Sequence, residues 1–232
     1  MSKTHQAPPG YDPGGSFFMN RIAFIVDGFN LYHSVRSASR DLGLSGVGTR
    51  WLNIRSLCDS YLYLIGKDAK TVGVYYFSAL ATHLQAVSPG VVMRHKSYIA
   101  CLEDLGISVE LARFKEKTIW CNSCKGEIRR HEEKETDVAI GVKLLELLLT
   151  DACDTCLIVS GDTDIVPAVK TAQRMCPDKQ VGFLLPYKRH NSELAALTSL
   201  HFKIKKETYT KHQLSDPFLL RNGSIIAKPS SW

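Results

Sequence analysis

Apolar residues along this chain follow two alternating rhythms. Short runs rich in β-branched residues, such as Ile22-Ala-Phe-Ile-Val26 and Cys156-Leu-Ile-Val-Ser160, are separated by longer stretches whose apolar positions recur every three or four residues. Continuous apolar runs suit strands buried on both faces, and helices crossing between such strands make them parallel. The pattern predicts strands near 22–26, 72–77, 107–113, 156–160 and 180–185. Helices are predicted near 29–38, 51–65, 90–105, 136–150, 164–175 and 191–200, joined by loops carrying Gly, Pro or Asp. In the helix near 136–150, Thr136 is the expected cap, and Val138, Val142, Leu145 and Leu149 are the expected apolar face.

Three stretches break the rhythm. Residues 1–20 carry Ala7-Pro-Pro-Gly10 and Pro13-Gly-Gly15, breakers without periodicity, and predict a loose leader. Residues 114–134 are polar and basic and hold Cys121-Asn-Ser-Cys124-Lys-Gly, which predicts an arm projecting from the edge of the sheet. The tail over 211–232, with a turn at Pro217, an Asn222-Gly223 hairpin signal and a closing Pro229, is expected to pack as an appendage on a domain spanning 21–210.

A chain of 232 residues with 44% hydrophobic composition is long enough for one sizeable core. Its longest apolar stretches fall far short of the roughly 18 residues that cross a bilayer, so no membrane partner is expected. A formal net charge of +6 makes a polyanion a natural partner without selecting one. Seven cysteines with no secretory signal imply free or metal-bound thiols in a reducing compartment, and hence the cytoplasm.

The chemistry sits at the strand ends. The first apolar run passes directly into Asp27-Gly28-Phe29-Asn30, and the later run Cys156 to Ser160 passes into Gly161-Asp162-Thr163-Asp164. In open parallel sheets the carboxyl ends of the strands face the ligand crevice, so both acidic turns can border one pocket. Asp137, at the start of the helix near 136–150, can reach the same place. Any one of these aspartates suits a helix cap or a turn. Four together would repel one another unless a divalent cation neutralised them. Hard oxygen donors of this kind suit magnesium or manganese, ions that activate water and stabilise charge on a phosphate.

The segments Ile25-Val-Asp-Gly-Phe-Asn-Leu-Tyr32, Glu132-Glu-Lys-Glu-Thr-Asp-Val138 and Leu157-Ile-Val-Ser-Gly-Asp-Thr-Asp-Ile-Val-Pro167 resemble, in order and spacing, the three signature blocks of the NYN domain family within the PIN-like nucleases. Ser192-Glu-Leu194 resembles a further late block, and the resemblance covers roughly 20–205. It implies an α/β fold: a PIN-like three-layer α/β/α sandwich with a mostly parallel five- to six-stranded sheet. It also implies a magnesium- or manganese-dependent ribonuclease acting on RNA. Carried over by position, Asp27, Asp137, Asp162 and Asp164 would be the catalytic metal ligands, and Asn30, Ser160 and Thr163 would orient water or substrate phosphate. The rival within the same family is a non-catalytic RNA-binding or regulatory module. A haloacid-dehalogenase-type phosphatase also places an aspartate after the first strand, but it needs a second acid two residues on, where Phe29 stands.

The arm adds a second theme. Cys121 and Cys124 would make half of a zinc site, with a pair of free or redox-sensitive thiols as the alternative, and relatives in the resemblance often carry such a pair just before the Glu-Lys-x-Thr-Asp block. Between Arg113 and Lys134 there are seven Lys or Arg against four Glu, with Phe114 and Trp120 among them. Arg113, Arg129 and Arg130 are therefore candidate phosphate contacts and Trp120 a candidate base-stacking residue, with a solvated charged hairpin as the alternative. Lys188 and Arg189, in Tyr187-Lys-Arg-His190 after another strand end, are candidate contacts on the same rim. A homodimer is compatible with this reading.

Overall fold

The first apolar run becomes β1 (Asn20–Asp27) at the centre of the molecule. Side chains of a strand alternate between its faces, so Ile22, Phe24 and Val26 enter one core while Ala23 and Ile25 enter another. Both cores are apolar, which is why the run tolerates no polar residue. The computed structural model describes residues 19–44, 48–121, 123, 125–230 and 232, and in the arm the side chains of residues 128–130 and 132 lie outside that description.

Around β1 are arranged β2 (Ala69–Ala79), β3 (Ser108–Cys121), β4 (Gly126–Lys134), β5 (Thr155–Val159), β6 (Gln180–Leu185) and β7 (His201–Lys203). The sheet order is β4-β3-β2-β1-β5-β6-β7, parallel throughout except for β4. On one face lie α1 (Gly28–Asp41), α2 (Ile54–Asp59), α3 (Val91–Asp104) and α7 (Lys206–Lys211), contributing Leu31, Leu57, Leu102 and Tyr209. On the other lie α4 (Thr136–Leu149), α5 (Val166–Met175) and α6 (Ser192–Leu197), contributing Leu144, Val169 and Leu194. This is the expected α/β/α sandwich. The chain builds outward from β1 through β2 and β3, then returns to pair β5 on the other side of β1. Strand order therefore reverses between β1 and β5, and their carboxyl ends flank the crevice such a reversal opens.

Several expectations change. The sheet has seven strands, not five or six, because the arm itself is strand: β3 continues past Arg113 and pairs antiparallel with β4 from Arg113↔Lys134 to Cys121↔Gly126. β7 was too short to show in the pattern. The single helix expected over 51–65 is broken into α2, capped by Asn53 accepting from the Ser56 amide, and a short 3-10 turn over Leu62–Leu64. Trp51 and Leu52 are instead buried under the tail, where Trp232 packs edge-on to Trp51 and Leu52 bridges to Gln213. The tail forms a two-stranded hairpin, β8 (Phe218–Leu219) with β9 (Ile225–Ile226), and Leu214 and Phe218 join the α1-side core.

Helix α4 departs most from its sequence pattern. Glu135, with φ 78°, precedes it without a side-chain cap bond, and Thr136 is its first helical residue, donating to Glu133 Oε1 at 2.6 Å. The face it buries is Ile140, Gly141, Leu144, Leu147 and Leu148, while Val138, Val142 and Leu149 are exposed. Its sequence is apolar nearly all round, so periodicity could not choose the face. Gly141 helps choose it, since a β-carbon there would come within 3.0 Å of the Ala168 β-carbon on α5. Among the described residues no helix is long and apolar enough to cross a membrane.

Candidate active site

The β1 and β5 turns are stitched to each other by side chains. Asp27 ends β1 and caps α1: its Oδ1 accepts from the Asn30 amide at 2.9 Å, and its Oδ2 accepts from the Ser160 hydroxyl at 2.8 Å. Ser160 Oγ in turn accepts from the Asp162 amide at 3.1 Å, and Asn30 Oδ1 accepts from the Gly161 amide at 3.1 Å. Asn30 and Ser160 thus hold the two acidic turns in register. The Ser160 hydroxyl, fully buried, is spent on that task and is not presented to a substrate phosphate, contrary to the sequence expectation.

Gly161 makes this register possible. The loop after β6 passes so close that a β-carbon on Gly161 would lie 1.9 Å from the Arg189 carbonyl oxygen. Only glycine lets the Arg189 backbone rest against the β5 turn.

Between the turns opens a crevice of about 360 Å³. Asp27, Asp137 and Asp162 line it, joined by Glu133. Its walls are Phe29, Asn30 and Thr136 on the helix starts and Phe114 and His131 from the base of the arm. Neither Glu133 nor His131 is expected at the acidic crevice from sequence. Glu133 lies in the Glu-Lys-x-Thr-Asp block, so its position there was the available signal. His131 stacks on His83 with ring centroids 4.2 Å apart, a contact between distant segments that no local pattern announces.

The carboxylates act on one another. Burial pushes Asp27 up to about 6, with Glu133 and Asp137 raising it further against the opposing pull of its two hydrogen bonds. Burial also raises Glu133, with Asp137 adding to it, and raises Asp137, with Asp162 and Asp164 adding to it. Among the described residues, the charges that act on these three are other carboxylates. Negative charge gathered this way is a fit for a hard cation. Among the described residues, however, no three His, Cys, Asp or Glu side chains converge into a ready-made coordination sphere. The donor set suits an ion that keeps most of its waters and takes one or two carboxylates directly, which is how magnesium commonly binds.

The remaining expected site residues are scattered. Asp164 and Thr163 lie in the turn before α5 and do not line the crevice, since α5 begins at Val166, not at 164. Asp164 is exposed, its amide donating to Asp162 Oδ1 at 3.1 Å, although its charge reaches Asp137. Arg113 pairs with Glu135 at 2.6 Å beside the start of α4. Lys188 is not brought to the crevice: it pairs with Asp41 at 2.6 Å, at the end of α1 away from Asp27. Trp120 is 59% exposed near the arm's turn, opposite Glu127 in the ladder, while Phe114 at the arm's base reaches the crevice. Cys121 ends β3, whereas Cys124 and the side chains of Arg129 and Arg130 lie outside the described residues.

The sequence profile of the NYN domain matches residues 21–202, spanning both acidic turns, the arm and α6. The chain belongs to the NYN domain family. An NYN domain has a nuclease-like fold, and the mostly parallel sheet flanked by helices is that fold. Among curated proteins no sequence match is found. Among solved structures, a protein of unknown function from Vibrio parahaemolyticus superposes with a TM-score of 0.51 at 18% identity, over 81% of this chain and 94% of its own. That likeness supports the fold of the NYN domain and nothing finer. UDP-bound MnaA of S. aureus and a putative UDP-N-acetylglucosamine 2-epimerase of Listeria monocytogenes match at TM-scores of 0.35 and 0.32, with 14% and 13% identity. They cover 82% and 83% of this chain and 40% and 43% of their own, and at such scores bear on neither fold nor activity.

Proposed function

We propose that this NYN domain is a metal-dependent endoribonuclease. The observation that carries the reading is the crevice at the reversal of strand order, lined by Asp27, Glu133, Asp137 and Asp162, none of which pairs with a lysine or arginine among the described residues. Asp27, Asp137 and Asp162 would hold magnesium or manganese, with Asp164 adding negative potential from the rim. Bound there, the ion would lower the pKa of a water and stabilise the charge that builds on a phosphate during hydrolysis. Ser160 and Asn30 position the carboxylates by fixing both turns. Arg189, whose backbone rests against the β5 turn at Gly161, is one of the expected cationic contacts to RNA in this reading. Arg113, Arg129 and Arg130 on the arm, with Trp120, are further substrate contacts in this reading. The buried free thiols of Cys58, Cys101, Cys153, Cys156 and Cys176 support the cytoplasm as its compartment.

The second reading, a non-catalytic RNA-binding or regulatory module, draws on the lack of a converged coordination sphere among the described residues. One experiment separates the two. Pure protein is incubated with single-stranded and structured RNA in magnesium, manganese or chelator, beside the Asp162→Asn variant. The nuclease reading expects cleavage with either ion and none with chelator or in the variant, whose fold is retained because the Asp162 amide still reaches Ser160. Manganese should also raise the melting temperature of the wild type, by an amount equivalent to about 2.7 kcal/mol at a hundred times its Kd, and raise that of Asp162→Asn far less. RNA binding without cleavage in any metal would select the second reading.

A further inference from the structure

Helix α1 carries a stripe buried against the sheet and, among the described residues, an exposed aromatic stripe on its other side. Leu31, Ser34, Val35 and Ala38 are buried against the sheet. Phe29, Tyr32, His33 and Arg36, spaced i, i+3, i+4 and i+7, form the opposite stripe. Phe29 is 47% and Tyr32 41% exposed. The His33 ring meets Phe29 edge-on at 4.5 Å and Tyr32 edge-on at 5.6 Å. The Arg36 guanidinium lies 5.7 Å over the Tyr32 ring. The stripe starts inside the candidate site, because Phe29 is part of the crevice wall, and it runs about 10 Å along the helix. Burial holds His33 below the ordinary histidine range, helped by the Arg189 and Arg36 cations, so the ring is neutral at physiological pH and behaves as an aromatic surface.

An exposed aromatic row edged by arginines, leading out of an acidic crevice, has the chemistry of a track for an unpaired nucleic-acid strand. Ring faces take bases, which only a single strand offers freely, and guanidinium groups take phosphates. The Arg36 and Arg189 charges also offset the repulsion a polyanion meets at the aspartates. We infer that the α1 stripe of Phe29, Tyr32, His33 and Arg36, with Arg189 beside it, binds the single-stranded RNA flanking the scissile phosphate, its bases stacking on Phe29 and Tyr32. This rests on the reading of the crevice as an RNA-cleaving site, and it gives helix α1 the base stacking that the sequence suggests for Trp120 on the arm.

The test measures binding, so it does not depend on cleavage. In the Asp162→Asn protein, affinity for a fluorescent single-stranded RNA of about 12 nucleotides, within the span usual for such sites, is titrated at several salt concentrations. Tyr32→Ala should weaken binding about tenfold with the salt dependence unchanged, and Tyr32→Phe should retain the affinity. Arg36→Ala should instead flatten the slope of log affinity against log salt by about 0.7. On an abasic strand of the same length Tyr32→Ala should make no difference, and a duplex should bind more weakly than the single strand. Unchanged affinity in Tyr32→Ala, an equal loss on the abasic strand, or no binding of single strands at all would overturn the inference. The nuclease reading is judged separately, by whether cleavage needs Asp162 and metal, so a failure of the track is told apart from a failure of that reading.

Discussion

Asp27→Asn is expected to make the metal-free protein more stable at pH 7.5 while removing its cleavage activity. Asp27 is 5% exposed, and its carboxyl is pushed from 3.8 up to about 6. A carboxyl whose folded pKa lies above its unfolded value binds more protons in the folded state. Stability is therefore greatest below about pH 4 for this group and is lost as pH rises through 6. The full gap corresponds to about 3 kcal/mol. Glu133 and Asp137 are raised as well and act in the same direction. Asp154, held far below the usual carboxylate range by Arg21, acts oppositely, and its stabilising effect is lost only on stronger acidification.

The asparagine keeps the bond from the Asn30 amide, but its Nδ2 must meet Ser160 Oγ, which already accepts from the Asp162 amide. Part of the gain is thereby offset, leaving about 1–2 kcal/mol, or a melting temperature higher by roughly 2–8 °C for a chain of this size. The difference should shrink toward pH 4. Saturating manganese should reverse it, because the wild type gains a ligand-bound state that the variant lacks. Activity should fall by more than the roughly 10–100-fold typical of groups that only support a metal ligand. Thermal melts in chelator from pH 4 to 8, with RNA cleavage assays, check each statement. A variant less stable than wild type at pH 7.5 in chelator would mean that Asp27 is not a strained carboxylate.

Gly161→Ala is expected to damage both the fold and the site. The new β-carbon would stand 1.9 Å from the Arg189 carbonyl, so either the β5 turn or the loop after β6 must move. Overpacking of this kind commonly costs about 1–3 kcal/mol and sometimes more. For a chain of this size that lowers the melting temperature by roughly 2–12 °C. Movement of the turn would also break the bond from the Gly161 amide to Asn30 and change the spacing of Asp27 and Asp162, so cleavage should fall more than stability alone explains. Gly66→Ala is the matched control, since nothing lies within 4 Å of a β-carbon there. A Gly161→Ala protein with wild-type melting temperature and activity would refute the close approach of the two loops.

The layering and the position of the site were legible in the sequence because both are local properties. A strand buried on both faces must be apolar at every position, so Ile22 to Val26 and Cys156 to Val159 declare themselves without reference to the rest of the chain. An acid directly after such a strand can only sit at its carboxyl end, and the resemblance of the three blocks implies that Asp27, Asp137 and Asp162 meet at one crevice. What the sequence could not decide was anything resting on contacts between distant segments. Helix α4 is apolar on nearly all sides, and packing against the sheet and, through Gly141, against α5 determined that Val138 and Val142 face outward. Lys188 and Arg189 are neighbours in sequence, yet the positive φ of 58° at Lys188 belongs to a turn that leaves one paired with Asp41 and the other against Gly161. Ser160 looked like a phosphate contact until the fold showed its hydroxyl occupied between Asp27 and the Asp162 amide. Residue type and spacing determine which chemistry a segment is capable of. Which of those groups remain available to a substrate is decided by hydrogen bonds and ion pairs made across the sheet, and these exist only in the folded molecule.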